Sequence, residues 1–284
     1  MYNLRYHIAS LVAVFLALTV GLLLGSIVVE RGLLSSQQTT LVEGLKVEFE
    51  NLRSESAKLQ AANDILGAFA DDAAPGVVAG VLDGRTILVL ASADTADTAA
   101  RASEAIRLAG GKVALATFAG PAFALDDPAV VAAVAKDLGV LESTIDATQV
   151  VNVLAAEWGT PDAPRPLTKA LIDSGGLKFQ GLTATATVDG TAITAVYDGV
   201  PDPWAIQLAR AFVSEGRFAL GVDTTKRTDG SAQAAKSAGL SGVDDVDTAM
   251  GRVSLAWVLS GRAEGLFGTR EGASARYPSP LFGK

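Results

Sequence analysis

From Ile8 to Val29 the chain carries no charged residue. At ~1.5 Å rise per residue, a helix over this run is about 33 Å long, enough for a ~30 Å hydrocarbon core. A secretory signal peptide has an apolar core of only ~7–15 residues and ends in a small-residue cleavage site. This run is longer, and Leu24-Gly25-Ser26-Ile27-Val28-Val29 offers no such site. Residues 1–30 therefore read as an uncleaved transmembrane signal anchor in the lipid bilayer. Arg5 and the α-amine precede the run, whereas Glu30 and Arg31 cancel after it. The positive-inside rule then places the N-terminus in the cytoplasm and the bulk of the chain outside the cell membrane.

Within the anchor, Ala9, Ala13, Ala17, Gly21 and Gly25 recur every four residues and include a G-x-x-x-G. Such a stripe lets two helix backbones approach closely in lipid, where van der Waals contact drives association. Residues 31–70 follow as a stalk. Leu45, Leu52, Leu59 and Leu66 sit seven apart, preceded by Leu34 and Leu41, among Glu, Gln, Lys, Arg and Ser. This is the heptad pattern of a coiled coil. Taking Leu45, Leu52, Leu59 and Leu66 as one seam position makes the other Leu34, Leu41, Glu48, Glu55 and Ala62. A partner helix with basic residues opposite the glutamates fits that register better than self-pairing, so the stalk predicts either a homo-oligomer or a partner coiled-coil helix.

Residues 71–284 read as one extracytoplasmic head. Asp71 to Gly76, with Pro75, predicts a helix break. Thr86–Leu90, Lys112–Phe118 and Phe218–Val222 read as buried strands. Thr95–Ala109 reads as a helix stopped at Gly110-Gly111, and Asp127–Leu138 as a helix with Pro128 in its first turn. Thr148–Trp158, Leu167–Ser174, Trp204–Glu215 and Ala232–Ala238 also read as helices, with a loop over 159–166. Asp189-Gly190 predicts a hairpin between Thr183–Val188 and Thr191–Tyr197. Met250–Leu259 is an apolar segment that fits strand or helix. The tail from Thr269 reads as a loop or loosely docked end. The strand–helix–strand rhythm predicts an α/β fold with a mostly parallel sheet and helices on both faces.

The residue inventory narrows the chemistry. The formal net charge is −8 and the sequence pI about 4.7, so phosphate backbones are repelled and nucleic acid is excluded as a partner. There is no cysteine, and the one histidine is His7. That excludes disulfides and thiolate metal sites, and it leaves the head without a base near pH 7 for a catalytic triad. No Walker or dinucleotide fingerprint occurs. The densest carboxylate group is Asp244-Asp245-Val246-Asp247, with Gly251 and Arg252 close behind. Oxygen ligands so near each other could hold Mg²⁺ or Ca²⁺. The reading preferred here is that they cap a helix or fill a turn, with Arg252 neutralising one of them. No cofactor is expected.

The run Tyr2-Asn3-Leu4-Arg5-Tyr6-His7-Ile8-Ala9-Ser10-Leu11, continuing to Gly21-Leu22-Leu23-Leu24-Gly25-Ser26, resembles the actinobacterial MctB family. Val243-Asp244-Asp245-Val246-Asp247-Thr248, then Gly251-Arg252-Val253, is similar to that family's closing motif, and Gly265-Leu266-Phe267-Gly268 to its Gly-x-aromatic-Gly element. The resemblance implies copper transport, even an outer-membrane channel. Through SteB-like members it implies work with a SteA-like membrane partner in septal cell-wall remodelling and cell separation. Copper sites use Cys, Met and His, and Met1 and Met250 are the only methionines here. A transmembrane barrel needs many strands of alternating polarity, which the head lacks. The sequence is therefore expected to encode a non-enzymatic envelope scaffold or regulator. A copper-transport component is the second expectation. A small-ligand-binding or carboxylate-dependent envelope enzyme is the third.

Overall fold

The uncharged run folds as a single helix, α1 (Leu4–Glu30), which over Leu4–Ile27 is long and apolar enough to cross a membrane, with mean hydropathy 2.5. It is the first element of a computed structural model that describes residues 4–30, 33–181, 186–227 and 230–279. The chain divides into two units, Met1–Leu66 and Gly67–Lys284.

A second helix, α2 (Leu33–Val78), supplies the rest of the first unit, and its last turns belong to the second unit. Leu45, Leu52, Leu59 and Leu66 are 56–69% exposed. Gly21 and Gly25 of α1 have open space where a Cβ would project. The predicted break over 71–76 does not occur, because α2 runs through Pro75 to Val78. Proline removes one i→i−4 hydrogen bond from a helix and crowds the carbonyl four residues back. Here Ala74 and Val78 are buried in the core of the second unit, and this packing holds the final turns.

In the second unit the strands are β1 (Thr86–Ser92), β2 (Lys112–Phe118), β3 (Leu177–Gln180), β4 (Gly190–Ile193), β5 (Val196–Tyr197), β6 (Val200–Pro201), β7 (Phe218–Val222), β8 (Ser241–Val243) and β9 (Leu266–Phe267). Seven of them form one sheet in the order β3-β2-β1-β4-β7-β8-β9, while β5 and β6 pair as a small antiparallel hairpin. Every pairing in the large sheet is parallel except that of β3 with β2. Between the strands come α3 (Ala96–Leu108), a short turn α4 (Pro121–Ala124), α5 (Pro128–Leu138), α6 (Ala147–Gly159), α7 (Pro166–Asp173), α8 (Pro203–Ser214), α9 (Ser231–Ser237) and α10 (Ala249–Leu259).

Alternation along β1 divides the core. Leu88 and Leu90 face a layer drawn from α5, α6, α7 and α8, whereas Ile87 and Val89 face α3, α10 and the end of α2. All seven residues of β1 are buried, as expected of a parallel strand covered on both faces. Two layers of helices around an open sheet make the head an α/β domain, as its rhythm of elements predicted. Among the described residues the sheet does not close into a barrel.

The predicted hairpin at Asp189-Gly190 is corrected. Residues 182–185 of its first arm lie outside the described residues, and 186–189 form no strand. Gly190 opens β4, a central strand between β1 and β7. The Asp189 carboxylate accepts from the Thr86 N–H at 2.7 Å, which fixes the entry of β4 beside β1. A Cβ at Gly190 would sit 3.1 Å from Ile87 and 3.2 Å from Leu259. Glycine is there for room, and a turn signal read locally cannot tell that from a hairpin.

Candidate functional site: the carboxyl edge of the sheet

The parallel strands end on one edge. Because β2 lies on one side of β1 and β4 on the other, the chain's winding reverses between β1 and β4, where open α/β sheets commonly hold ligands. Here the protein's own groups occupy that place. The Ser92 hydroxyl donates to the Val196 carbonyl at 2.6 Å, and the Ser92 N–H donates to Thr95 Oγ1 at 3.0 Å. Thr194 Oγ1 donates to the Leu90 carbonyl at 3.1 Å. Ser92, Thr95 and Thr194 are all buried.

The β5–β6 hairpin follows directly, and its Tyr197 hydroxyl donates to the Phe118 carbonyl at 3.3 Å. Burial pushes the Tyr197 phenol well above its ordinary range, with the charges of Asp202, Asp126 and Asp94 adding to the effect. Asp202 is buried too and caps α8 by accepting from the Trp204 N–H at 2.9 Å. Burial raises its pKa, and the capping N–H groups oppose the rise. Beside these groups α4 is a turn of left-handed backbone, with φ of 49° at Ala122, 63° at Phe123 and 63° at Ala124. That conformation costs roughly 1–2 kcal/mol per non-glycine residue. It is held by the buried Phe123 ring, which meets Phe118 edge to face at 4.9 Å.

Further along the edge stand the aspartates. Asp223, after β7, is buried and accepts from the N–H groups of Ser231 and Ala232 at 3.0 and 2.9 Å, capping α9. Arg270 lies 3.7 Å from its carboxylate and donates to the Thr224 carbonyl at 2.9 Å. Burial raises the Asp223 pKa against the pull of the capping N–H groups and of Arg270.

Asp244, after β8, is buried and accepts from the N–H groups of Thr269 and Arg270 at 2.9 and 3.3 Å. Its carboxylate fills the space a side chain at residue 268 would need. Gly268 has φ of 138°, and a Cβ there would lie 2.1 Å from Asp244 Oδ1. Asp247 accepts from the Thr225 N–H at 2.8 Å and from its hydroxyl at 2.6 Å. Asp245 is fully buried; Oδ2 accepts from Thr248 Oγ1 at 3.1 Å, and Oδ1 has no partner. Its pKa is raised to about 6, first by burial and then by the charges of Asp244 and Asp247; the Thr248 hydroxyl and Arg270 act against the rise.

The rest of the motif sets the start of α10. Thr248 is its N-cap, accepting from the Gly251 N–H at 3.0 Å. A Cβ at Gly251 would lie 2.0 Å from the Asp245 carbonyl, so only glycine fits there. Arg252 does not neutralise an aspartate of its own motif. It reaches Asp71 at 2.5 Å and so ties α10 to the end of α2. The three motif aspartates thus serve separate loops. Among the described residues no group of three or more His, Cys, Asp or Glu is placed to hold a metal ion.

Sequence reasoning missed Asp202, Asp223 and Glu157. Glu157, on α6, is buried and accepts from the Leu167 and Thr168 N–H groups at 2.7 and 2.9 Å and from the Thr168 hydroxyl at 2.5 Å, capping α7 from a neighbouring helix. Its place in an apolar helical segment was the available signal, since a carboxylate there needs a fixed set of donors. Over 269–279 the tail is a loop, as expected, but a docked one; residues 280–284 lie outside the described residues. Arg270 is held as described, Lys236 donates to the Gly272 carbonyl at 2.7 Å, and Ser274 donates to the Leu266 carbonyl at 2.7 Å. A cleft of about 230 Å³ remains between Gln233, Asp244, Leu266, Arg270 and Glu271. That is below the ~300–1,000 Å³ usual for ligand sites.

Comparison with known proteins adds the family. A family profile described as "Copper transport outer membrane protein, MctB" matches residues 1–189. The chain belongs to the MctB family. The match covers α1, α2 and the head as far as the entry of β4, and the Asp244–Arg252 motif lies beyond it. No curated protein and no solved structure matches the chain.

Proposed function

We propose that this MctB-family chain is a membrane-anchored, non-catalytic scaffold of the cell envelope. In this reading α1 is the anchor, with the N-terminus cytoplasmic and the head outside, and α2 is a coiled-coil stalk. The chain acts with a SteA-like membrane partner in septal cell-wall remodelling and cell separation. The observation that carries the reading is the exposed leucine row of α2, which asks for a helix to pair with. The head supports it as well. Its sheet crevice is filled by Ser92, Thr95 and Thr194, and each motif aspartate has a structural partner.

Copper transport is the second reading, favoured by the family's description. The donor set does not fit a Cu(I) site. The sequence has no cysteine, one histidine and two methionines, whereas Cu(I) prefers thiolate and thioether sulfur. The open, mostly parallel sheet also differs from the closed antiparallel barrel of a channel in the outer membrane. Depleting the protein from cells decides between the two. The scaffold reading expects daughter cells that remain joined, at unchanged copper tolerance. Normal separation with copper sensitivity would refute it in favour of transport.

A further inference from the structure

The α2 helix is continuous through the whole heptad region, and Val42 and Phe49 are 63% and 74% exposed alongside the leucines. This defines a better seam than the one that places glutamates inside it. With Leu45, Leu52, Leu59 and Leu66 at position d, position a becomes Val42, Phe49, Ser56 and Asn63. Six of these eight residues are apolar, and they follow the alternating spacing of three and four that a two-helix seam requires. Glu48 and Glu55 then move out of the seam to position g, while Lys46, Arg53 and Gln60 fall at e.

We propose that the stalk pairs with a second copy of this chain as a parallel, in-register dimer over Val42–Leu66. The inference rests on the scaffold reading and names the stalk's partner. Charge fixes the orientation. In a parallel dimer each g residue faces the e residue five places on in the other chain. Glu48 therefore meets Arg53 of the second copy, and Glu55 meets its Gln60. An antiparallel dimer sets g against g and e against e, which brings Glu toward Glu and Arg or Lys toward Arg. Asn63 fixes the register, since a polar residue at a finds its match only in the same residue of the second chain. Upstream, Ser35 and Gln38 occupy the next a and d positions and end the seam, so no basic partner helix is needed to explain the glutamates.

Because the chain has no cysteine, single-cysteine variants report this directly in membranes carrying the full-length protein. Leu45→Cys and Leu66→Cys, at opposite ends of the seam, should each give a disulfide-linked dimer under mild oxidation. Ser54→Cys, at the outward f position, should give little. Glu48→Lys sets Lys against Arg twice per dimer and should lower cross-linking of Leu45→Cys about tenfold. Adding Arg53→Glu should restore it. No cross-link at 45 and 66, equal cross-linking at 54, or no rescue by the double reversal would overturn the dimer. Sedimenting the same membranes separates the two ideas. Chain in the pellet without cross-links overturns only the dimer, whereas chain in the supernatant overturns the anchored scaffold on which it rests.

Discussion

Replacing Asp245 by Asn should change how the head's stability depends on pH. The carboxyl titrates near 3.8 when unfolded and at about 6 in the fold, because it is fully buried beside Asp244 and Asp247. Between these two values the native state holds a proton that the unfolded state has lost. The free energy of unfolding therefore falls as pH rises from about 4 to about 6, and levels off above. At ~1.4 kcal/mol per pH unit of displacement, the loss is at most about 3 kcal/mol by pH 7. Asn cannot ionise, so Asp245→Asn lacks this slope, while Asp202 and Asp223, whose raised pKa values do not draw on Asp245, contribute alike in both proteins. Trp158, Trp204 and Trp257 all lie in the second unit, so their fluorescence in urea reports its unfolding. Relative to Asp245→Asn, the wild type should be more stable at pH 4 than at pH 7 by up to that amount. Parallel stability–pH curves for the two proteins would refute the argument that Asp245 is buried with an unpaired oxygen.

Other substitutions separate the groups that hold the head from those that do not. Glu157→Ala leaves two buried N–H groups and the Thr168 hydroxyl without their acceptor and should cost about 2–4 kcal/mol in urea titration. Gly251→Ala forces a methyl against the Asp245 carbonyl and should cost about 1–3 kcal/mol, seen as a lower Tm. Asp71→Asn should change stability by less than about 1 kcal/mol, since the Asp71 side chain is 58% exposed. Ala122→Gly should raise stability by roughly 0.5–1 kcal/mol by relieving left-handed backbone, measured by thermal unfolding.

Where local chemistry alone dictates an element, the sequence was legible. β2 and β7 fall on the predicted residues because an apolar run bounded by glycine and charge has few other folds. The helix α5 starts where Asp127 accepts from the Ala129 N–H at 2.8 Å and Pro128 takes the first turn. The helix α10 could not be told from a strand, since a helix buried on most sides loses its 3.6-residue period. The two clear misreadings, Pro75 and Asp189-Gly190, are local signals overridden by packing, of Ala74 and Val78 in one case and of Ile87 and Leu259 in the other. The motif aspartates were readable as turn residues, but the α10 cap is Thr248 rather than one of them, and their partners were not readable. Thr225 and Thr269 are brought to Asp247 and Asp244 only by the pairing of β7, β8 and β9, and Asp71 is brought to Arg252 only because the end of α2 packs on the head.

In the proposed function α1 stays on the chain as an anchor and carries the head outside the membrane. A reporter active only outside the cytoplasm, fused after Lys284, together with the mass of the mature protein, tests it most directly. An active reporter on a membrane-bound chain that retains Met1–Val29 is the expected result. An inactive reporter, or a truncated form recovered from the medium, would contradict it.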